Sequence, residues 1–498
     1  MPKRPFRGLR TTGPRESYDV AVIGAGIAGL TLAALLARQG FSVLLVEQHY
    51  MVGGYCSTFR RGGFTFDAAT HFYPLLGNPQ ALTAKLLASI GATTRWVRMD
   101  PVDTFHLPDG SKFEVPADYD TYRARLAERF PAERENLEAY FAEAQELYLL
   151  GSLEYLKGKS TPRLDRWRNE SLRQALDRHF RDPALKLILT ADCPHWGGPP
   201  ERTSFVFDSM GRLSYFLGNY YPEGGSQAFA DDLGRCVEEA GGDLLMSTAV
   251  DRIVVEDGRA VGLELTTTRG ALVGRHRVRA RAIVSNADLR QTIERLLPLE
   301  ATPEALRAQV REMRPSFPCY LAHIGLSEAI TTAQLEAAKG YHWQGWNPDE
   351  MGRGSLRCKI FVPTLFEPRM APPGKHVVIQ QKVIEVDYDT ITDWAGHKAE
   401  VQEYLLTQLE RAIPGVREHI EVVTVATAAT SQRFTWNTEG AMLGWEMSPA
   451  QLGAGRPGIV GPVENLWLVG HWVQPGGGIT PVLISAQQGA EAVAAALG

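Results

Sequence analysis

The chain has 498 residues, 44% hydrophobic and 22% charged, a make-up that excludes wholesale disorder and leaves room for a large core with a deep ligand cavity. Its 52 basic and 57 acidic residues leave a net charge of −5, so bulk charge gives nucleic-acid binding no support. Five cysteines (Cys56, Cys193, Cys236, Cys319 and Cys358) form no CxxC pair and the twelve histidines form no HxH or HxxxH pair. This argues against a disulfide framework and a protein-bound metal, and for a reducing, cytoplasmic setting.

The N-terminus, MPKRPFRGLRTTGPR, carries five basic residues and lacks the apolar stretch of a secretory signal. It reads as a frayed tail, with a basic arm against anionic lipid as the alternative. Tyr18 to Ile23 (YDVAVI) is apolar and β-branched, the pattern of a buried parallel strand. Gly24-Ala25-Gly26-Ile27-Ala28-Gly29 follows at once, then a helix pattern over Leu30–Arg38 and a second buried strand over Phe41–Val46, with Glu47 at its end. A GxGxxG turn between a strand and a helix is the dinucleotide fingerprint. Gly24 permits the tight turn, Gly26 admits the pyrophosphate, and Gly29 lets the helix pack on the sheet. The helix N-terminus then faces the phosphates. Glu47, about 20 residues on, can accept both ribose hydroxyls and would repel a 2′-phosphate, which argues against NADP.

A second glycine-rich turn, Gly53-Gly54-Tyr55-Cys56-Ser57-Thr58-Phe59, points to FAD over NAD. A cofactor that runs on past the first turn needs further backbone amides and the Ser57 and Thr58 hydroxyls. From 76 to 222 the chain becomes charged, aromatic and helical, with helices expected over Tyr122–Ala144 and Ser171–Phe180. A helix between Gly225 and Gly241 is expected to start on Ser226 as its N-cap. Strands follow at Asp251–Glu256, Val261–Thr267 and Val278–Ser285, with a hairpin at Gly258. Further strands are expected around Phe317–Leu326 and His376–Val386. The chain ends as a strand, Leu466–Gly470, a glycine-rich loop, and a helix that Thr480 would cap with Pro481 first. That helix start would face flavin N1 and C2=O, where reduced flavin gathers negative charge.

No run of about 18 apolar residues occurs, so no membrane-spanning helix is expected. Glu143–Lys157 (EAQELYLLGSLEYLK) is apolar enough to dip into a membrane or to fill a helical core. The resulting organisation is a cofactor domain from 16–75, 223–290 and 460–498, with insertions 76–222 and 291–459 forming a substrate domain.

The segments GGYCSTFRRGGFTFDAATHF (53–72), YPEGGSQAFADDL (221–233), VDRIVVEDGRAVGLEL (250–265), AIVSNA (282–287) and GHWVQPGGGITPVLISAQQGAEAV (470–493) resemble the phytoene desaturase-like flavoproteins. The GGxCxTF turn and the GxxxGW segment Gly440–Trp445 resemble the carotenoid cis–trans isomerase and retinol saturase branch. The resemblance implies an α/β fold: an FAD-binding Rossmann-like domain of the glutathione-reductase and amine-oxidase type, assembled from three segments, with an inserted α+β substrate domain. It implies that Gly24, Gly26 and Gly29 hold the pyrophosphate, Glu47 the ribose, and Gly53, Gly54, Ser57 and Thr58 the ribityl path. Ala69, Thr70 and His71 would lie by the flavin ring, Val250 and Ala287 by adenine, and Gly470, His471, Gly478, Ile479 and Thr480 around the isoalloxazine. Two departures stand out: Tyr55 replaces the arginine of amine-oxidase relatives, and Ala69 replaces a common glycine.

The substrates implied are long polyenes or isoprenoids, laid in an apolar tunnel against flavin N5. Hydride and proton transfer would add or remove a double bond; isomerisation needs only reduced FAD and no net redox change. A quinone, oxygen or a reductase would serve as electron partner. Aromatic segments that could line the tunnel are Phe205–Phe207, Tyr215-Phe216, Tyr220-Tyr221, Tyr341–Trp346 and Trp436. The candidate catalytic residues are His71, Trp472 and Glu439, with Asp67 next; Cys56 reads as packing. Two other readings share the fold: an FAD-dependent amine oxidase and a prenyl-lipid escort protein that uses no flavin.

Overall fold

A computed structural model describes residues 5–9, 13–159 and 161–498. Two seven-stranded sheets organise it. In the first, the strand Ser17–Ile23 lies between Val43–Val46 and Gly274–Ser285, parallel to both, with Val20 level with Val43 and Ala282. Asp243–Leu245 extends the parallel run beyond Val43–Val46. Gly274–Ser285 changes partner along its length. Its first half pairs antiparallel with Arg259–Thr267 of the hairpin that turns at Gly258, and its last three residues pair parallel with Leu466–Leu468. Strands from three distant parts of the sequence therefore meet in one sheet. Its central strands are apolar without alternation because helices cover it. The helix Ile27–Arg38 is buried almost all round, packed against Ser226–Glu239 and Ile479–Leu497.

The second sheet runs in the order Ile420–Ala426, Cys319–Leu326, His376–Val383, Leu356–Phe361, Gly340–Trp343, Asp103–His106, Lys112–Val115. All its pairs are antiparallel except Gly340–Trp343 with Asp103–His106. Period-two alternation sorts its faces. Ala322, Ile324, Cys358, Ile360 and Val378 pack with the helix Trp394–Ala412. Leu321, His323, Lys359 and Gln381 face the opposite way, into a cavity. The hairpin Thr58–Asp67 follows the cofactor-binding turn in sequence, yet its Phe64 and Phe66 pack on this second sheet, against Leu321, Phe361 and Ile379.

Several expected elements are corrected. The helix over Tyr122–Ala144 is two helices, Tyr119–Arg129 and Arg134–Gly151, separated at Pro131, which cannot supply an interior N–H. The N-cap of Ser226–Glu239 is Gly225, not Ser226, and that of Ile479–Leu497 is Gly478, not Thr480. The Thr480 hydroxyl donates instead to the Pro74 carbonyl at 3.1 Å.

The basic arm falls partly outside the described residues, at 1–4 and 10–12. The part that is described is anchored rather than frayed. Phe6 is buried, and the Arg7 and Gly8 N–H groups donate to the Glu238 carboxylate at 3.0 Å. Within Glu143–Lys157, Leu147 is buried, Leu156 lines the cavity and Leu149 is 63% exposed. Among the described residues no helix is long and apolar enough to cross a membrane. All five cysteines are free.

Candidate active site

A cavity of about 1120 Å³ runs between the two sheets, and residues from all three stretches of the first sheet's neighbourhood line it. At one end stands the first glycine turn. Gly24 has φ +91°, and a Cβ on Gly29 would lie 2.1 Å from the Gly24 carbonyl oxygen, so the helix can seat on the turn only without a side chain there. The Asn286 side-chain amide donates to that same carbonyl at 3.1 Å. The second turn is bonded to the first: the Gly53 N–H donates to the Ala25 carbonyl at 2.8 Å, and Gly53 adopts φ +115°.

Glu47 ends its strand with both carboxylate oxygens on backbone donors, the Ala25 N–H and the His49 N–H, each at 2.8 Å. Burial pushes its acid strength down, its pKa moving above the usual carboxylate range. Each oxygen keeps a lone pair for a ribose hydroxyl. The helices starting at Ile27 and Ile479 carry no side-chain cap, so their first-turn N–H groups stay open to a ligand. Glycine cradles, an acceptor pair and two uncapped helix starts fit the phosphates, ribose and isoalloxazine of FAD.

Gly24, Gly26, Glu47, Gly53, Gly54, Ser57, Thr58, Ala69, Thr70, His71, Val250, Ala287, Gly470, His471, Gly478, Ile479 and Thr480 all line this one cavity. Gly29 lies behind it, in the packing role its position in the motif implies. Cys56 also lines it, but burial lifts its thiol to about 11, as befits a packing residue.

Two of the three catalytic candidates do not reach the cavity. Trp472 is 2% exposed and lies behind the wall, edge-on to Trp445, with its indole N–H donating to the Asn437 side-chain oxygen at 2.9 Å. It positions Asn437, which does line the cavity and also meets His471 Nε2 at 3.2 Å. Glu439, at φ +56°, turns away to pair with Arg290 at 3.2 Å. Asp67 is likewise absent from the lining: fully buried and pushed up to about 6 by that burial, it holds Tyr221 and Ser226.

His71 stands in the cavity wall and opens a polar array that sequence reasoning did not find. Its Nε2 meets His195 Nε2 at 3.2 Å, and His195 Nδ1 meets the Tyr341 hydroxyl at 2.6 Å. His71 Nδ1 lies 3.1 Å from the Ala69 carbonyl and 3.0 Å from the Gln381 amide nitrogen. Lys359, in salt-bridge contact with Asp103 at 2.6 Å, lies over the Phe72 ring at 3.8 Å. Burial first, then the Lys359 charge, hold His71 neutral with its pKa down to about 3. Of the aromatic segments expected to line the tunnel, Phe207, Tyr215, Tyr341 and Trp436 do so; Phe205, Phe216, Tyr220, Tyr221, Trp343 and Trp346 do not. His195 and Lys359 carried no motif that could have flagged them. Among the described residues no group of three or more His, Cys, Asp or Glu side chains is placed to hold a metal.

Residues 27–494 match the family model of the flavin containing amine oxidoreductases. The chain is 27% identical to prolycopene isomerase 1, chloroplastic, of an Oncidium hybrid cultivar over 513 aligned residues, covering 97% of this chain and 85% of that one. It is also 27% identical to the neurosporene-forming phytoene desaturase of Cereibacter sphaeroides, covering 96% and 95%. In fold it is similar to putrescine oxidase solved with putrescine, at TM-score 0.69 and 16% identity, covering 97% of this chain and all of that one. The cofactor is FAD, the fold is the amine-oxidase-type α/β architecture, and the chain belongs to the flavin containing amine oxidoreductase family.

Proposed function

We propose that this protein is an FAD-dependent oxidoreductase or isomerase acting on carbon–carbon double bonds of a long apolar polyene or isoprenoid, of carotenoid or retinoid type. The relatives named for prolycopene, phytoene and retinol chemistry support the substrate class. The observation that carries it is the chemistry of the cavity wall. Glu47 and Asp288 are the only carboxylates among the described lining residues, and both are already engaged. Glu47 is held as above, and Asp288 accepts the Gln291 N–H at 2.9 Å and the Thr438 N–H at 2.7 Å. An ammonium substrate would find no free anion and would meet Lys359, whereas Leu321, Leu356, Phe207, Met210 and Met442 offer a polyene apolar contact.

In this reading FAD supplies hydride or electron chemistry. The chain's own residues bind the cofactor through 16–75, 223–290 and 460–498 and the substrate through 76–222 and 291–459. His71 is the acid, base or cofactor-orienting group, and the walls exclude water. A quinone, oxygen or a reductase completes any net redox step. Exposed Leu149, next in sequence to cavity-lining Tyr148, supports peripheral contact with a bilayer that delivers the substrate.

The test is anaerobic incubation with a panel of carotenes and retinoids, with FAD oxidised or reduced, read by chromatography. Conversion of a polyene is the expected result: a need for oxidised FAD marks desaturation, a need for reduced FAD marks isomerisation or saturation, and the hydrogen count of the product separates those two. Peroxide formed from amines with every polyene unchanged would replace this reading by amine oxidation. A protein that stays colourless after added FAD would favour the escort reading.

A further inference from the structure

Arg456 is 1% exposed and, among the described residues, has no carboxylate partner. Its guanidinium is solvated by backbone carbonyls: Nε donates to Gln451 at 2.9 Å, Nη1 to His471 at 3.1 Å and Nη2 to Trp445 at 3.1 Å. The nearby acid, Glu446, turns its carboxylate the other way, to Arg202 at 2.9 Å, and gives Arg456 only its carbonyl at 3.4 Å. A buried cation without a counter-ion is costly, and carbonyl dipoles offset part of that cost without cancelling the net charge. Arginine keeps its proton in such a place.

The position of this charge gives it a role. A Cβ on Gly476 would lie 2.9 Å from Arg456 Nη1, so the guanidinium is bracketed by the His471 carbonyl and the Gly476 backbone. Those are two points on one loop, and Gly470, His471, Gly477 and Gly478 of that loop line the cavity. The charge thus sits one layer of backbone behind the wall. Its burial at 1% exposure leaves the charge little screened by solvent. The His471 ring on this loop is held below its ordinary pKa by burial and, after it, by the Arg456 charge.

We propose that Arg456 is a positioning residue for electrons: its unpaired buried charge raises the reduction potential of the bound flavin. Reduction takes two electrons and one proton into the ring and leaves a net negative charge at N1–C2=O, which a fixed cation behind the loop favours over the neutral oxidised ring. The proposal rests on the cofactor assignment and not on the identity of the polyene.

The test measures the potential of the FAD-loaded protein without substrate, by equilibration with a reference dye while xanthine and xanthine oxidase supply electrons. Arg456→Gln removes the charge and keeps N–H donors for the loop; Arg456→Lys keeps the charge and loses the fork; Arg456→Met removes both. Near-UV circular dichroism checks each fold. Arg456→Gln and Arg456→Met are expected to weaken the protein's preference for reduced over oxidised FAD at least tenfold, a fall of about 30 mV for a two-electron couple. Arg456→Lys is expected to stay within threefold of the wild type. Equal falls in Arg456→Gln and Arg456→Lys would make loop geometry the cause and overturn the proposal, as would an unchanged potential in Arg456→Gln. A wild-type chain that takes up no FAD would overturn the cofactor assignment and this proposal with it.

Discussion

The Asp67 carboxylate accepts the backbone N–H of Ser226 at 2.9 Å, so a strand end caps a helix to which it is not connected. Its other oxygen accepts the Tyr221 hydroxyl, and all three residues are buried. The contact ties the hairpin on the second sheet to a helix of the first. Asp67→Ala leaves the buried Ser226 N–H without an acceptor and the Tyr221 hydroxyl with only the Met370 sulfur at 3.0 Å, at about 1–3 kcal/mol each. We expect a loss of roughly 3 kcal/mol in urea unfolding at pH 7 with FAD present. A loss below about 1 kcal/mol would mean that water replaces the carboxylate and that the link is dispensable.

Glu47 is surrounded by donors before any cofactor arrives, with the Ala25 and His49 N–H groups on its two oxygens. Glu47→Arg sets a third donor group against them and against the ribose hydroxyls. The expected product is colourless, with no flavin absorbance near 450 nm even after incubation with FAD. Full flavin content in the purified variant would remove Glu47 from the ribose site.

His71 is the one catalytic candidate that the cavity keeps. With its pKa pressed down to about 3 the imidazole is neutral at ordinary pH, and the pH–rate profile between 5 and 8 should carry no limb from it. His71→Ala is expected to retain FAD and to lose about 10²–10⁴-fold in turnover, the span of a positioned acid or base. His195→Phe tests the array from its second member, by removing the partner at 3.2 Å. Full turnover in His71→Ala with flavin retained would exclude His71 from the chemistry.

What could be read in advance follows from how local the signals are. The β-α-β unit with Gly24, Gly26, Gly29 and Glu47 is legible because strand, turn and helix are consecutive and each residue serves a backbone demand of its own neighbourhood. The break at Pro131 is equally local, because proline removes an interior N–H wherever it stands. The acceptor of the first N–H of the helix at Ser226 is not local, because Asp67 is supplied by another element. His195, Tyr341 and Lys359 lie on a short helical turn and two strands that only the second sheet brings together. For Glu439 and Trp472 the sequence offers only a residue type near a motif. Backbone geometry at φ +56° turns the first outward, and the Asn437 side chain holds the second behind the wall.

The stacked pair His106 and His342, with ring centroids 4.0 Å apart and an interplanar angle of 9°, sets an acid limit on stability. His342 Nε2 bonds the Ala338 carbonyl at 2.8 Å, and burial, then the neighbouring His106, lower its pKa to about 3. The sign follows from proton counting. Below about pH 6.5 the unfolded chain binds a proton at this position, while the folded chain does not until about pH 3. The contribution is therefore complete above pH 6.5 and is lost as the pH falls toward 3. At pH 5 the loss is about 2 kcal/mol at 1.36 kcal/mol per unit, and about 1–2 kcal/mol after allowing for the ring's partial solvent access. His342→Gln keeps a donor for Ala338 and has no proton to bind. The stability difference, wild type minus His342→Gln, should shrink by about 1–2 kcal/mol between pH 8 and pH 5 in urea titrations. A difference that holds constant or widens over that range would show that His342 is protonated in the folded protein, which the close stacking on His106 argues against.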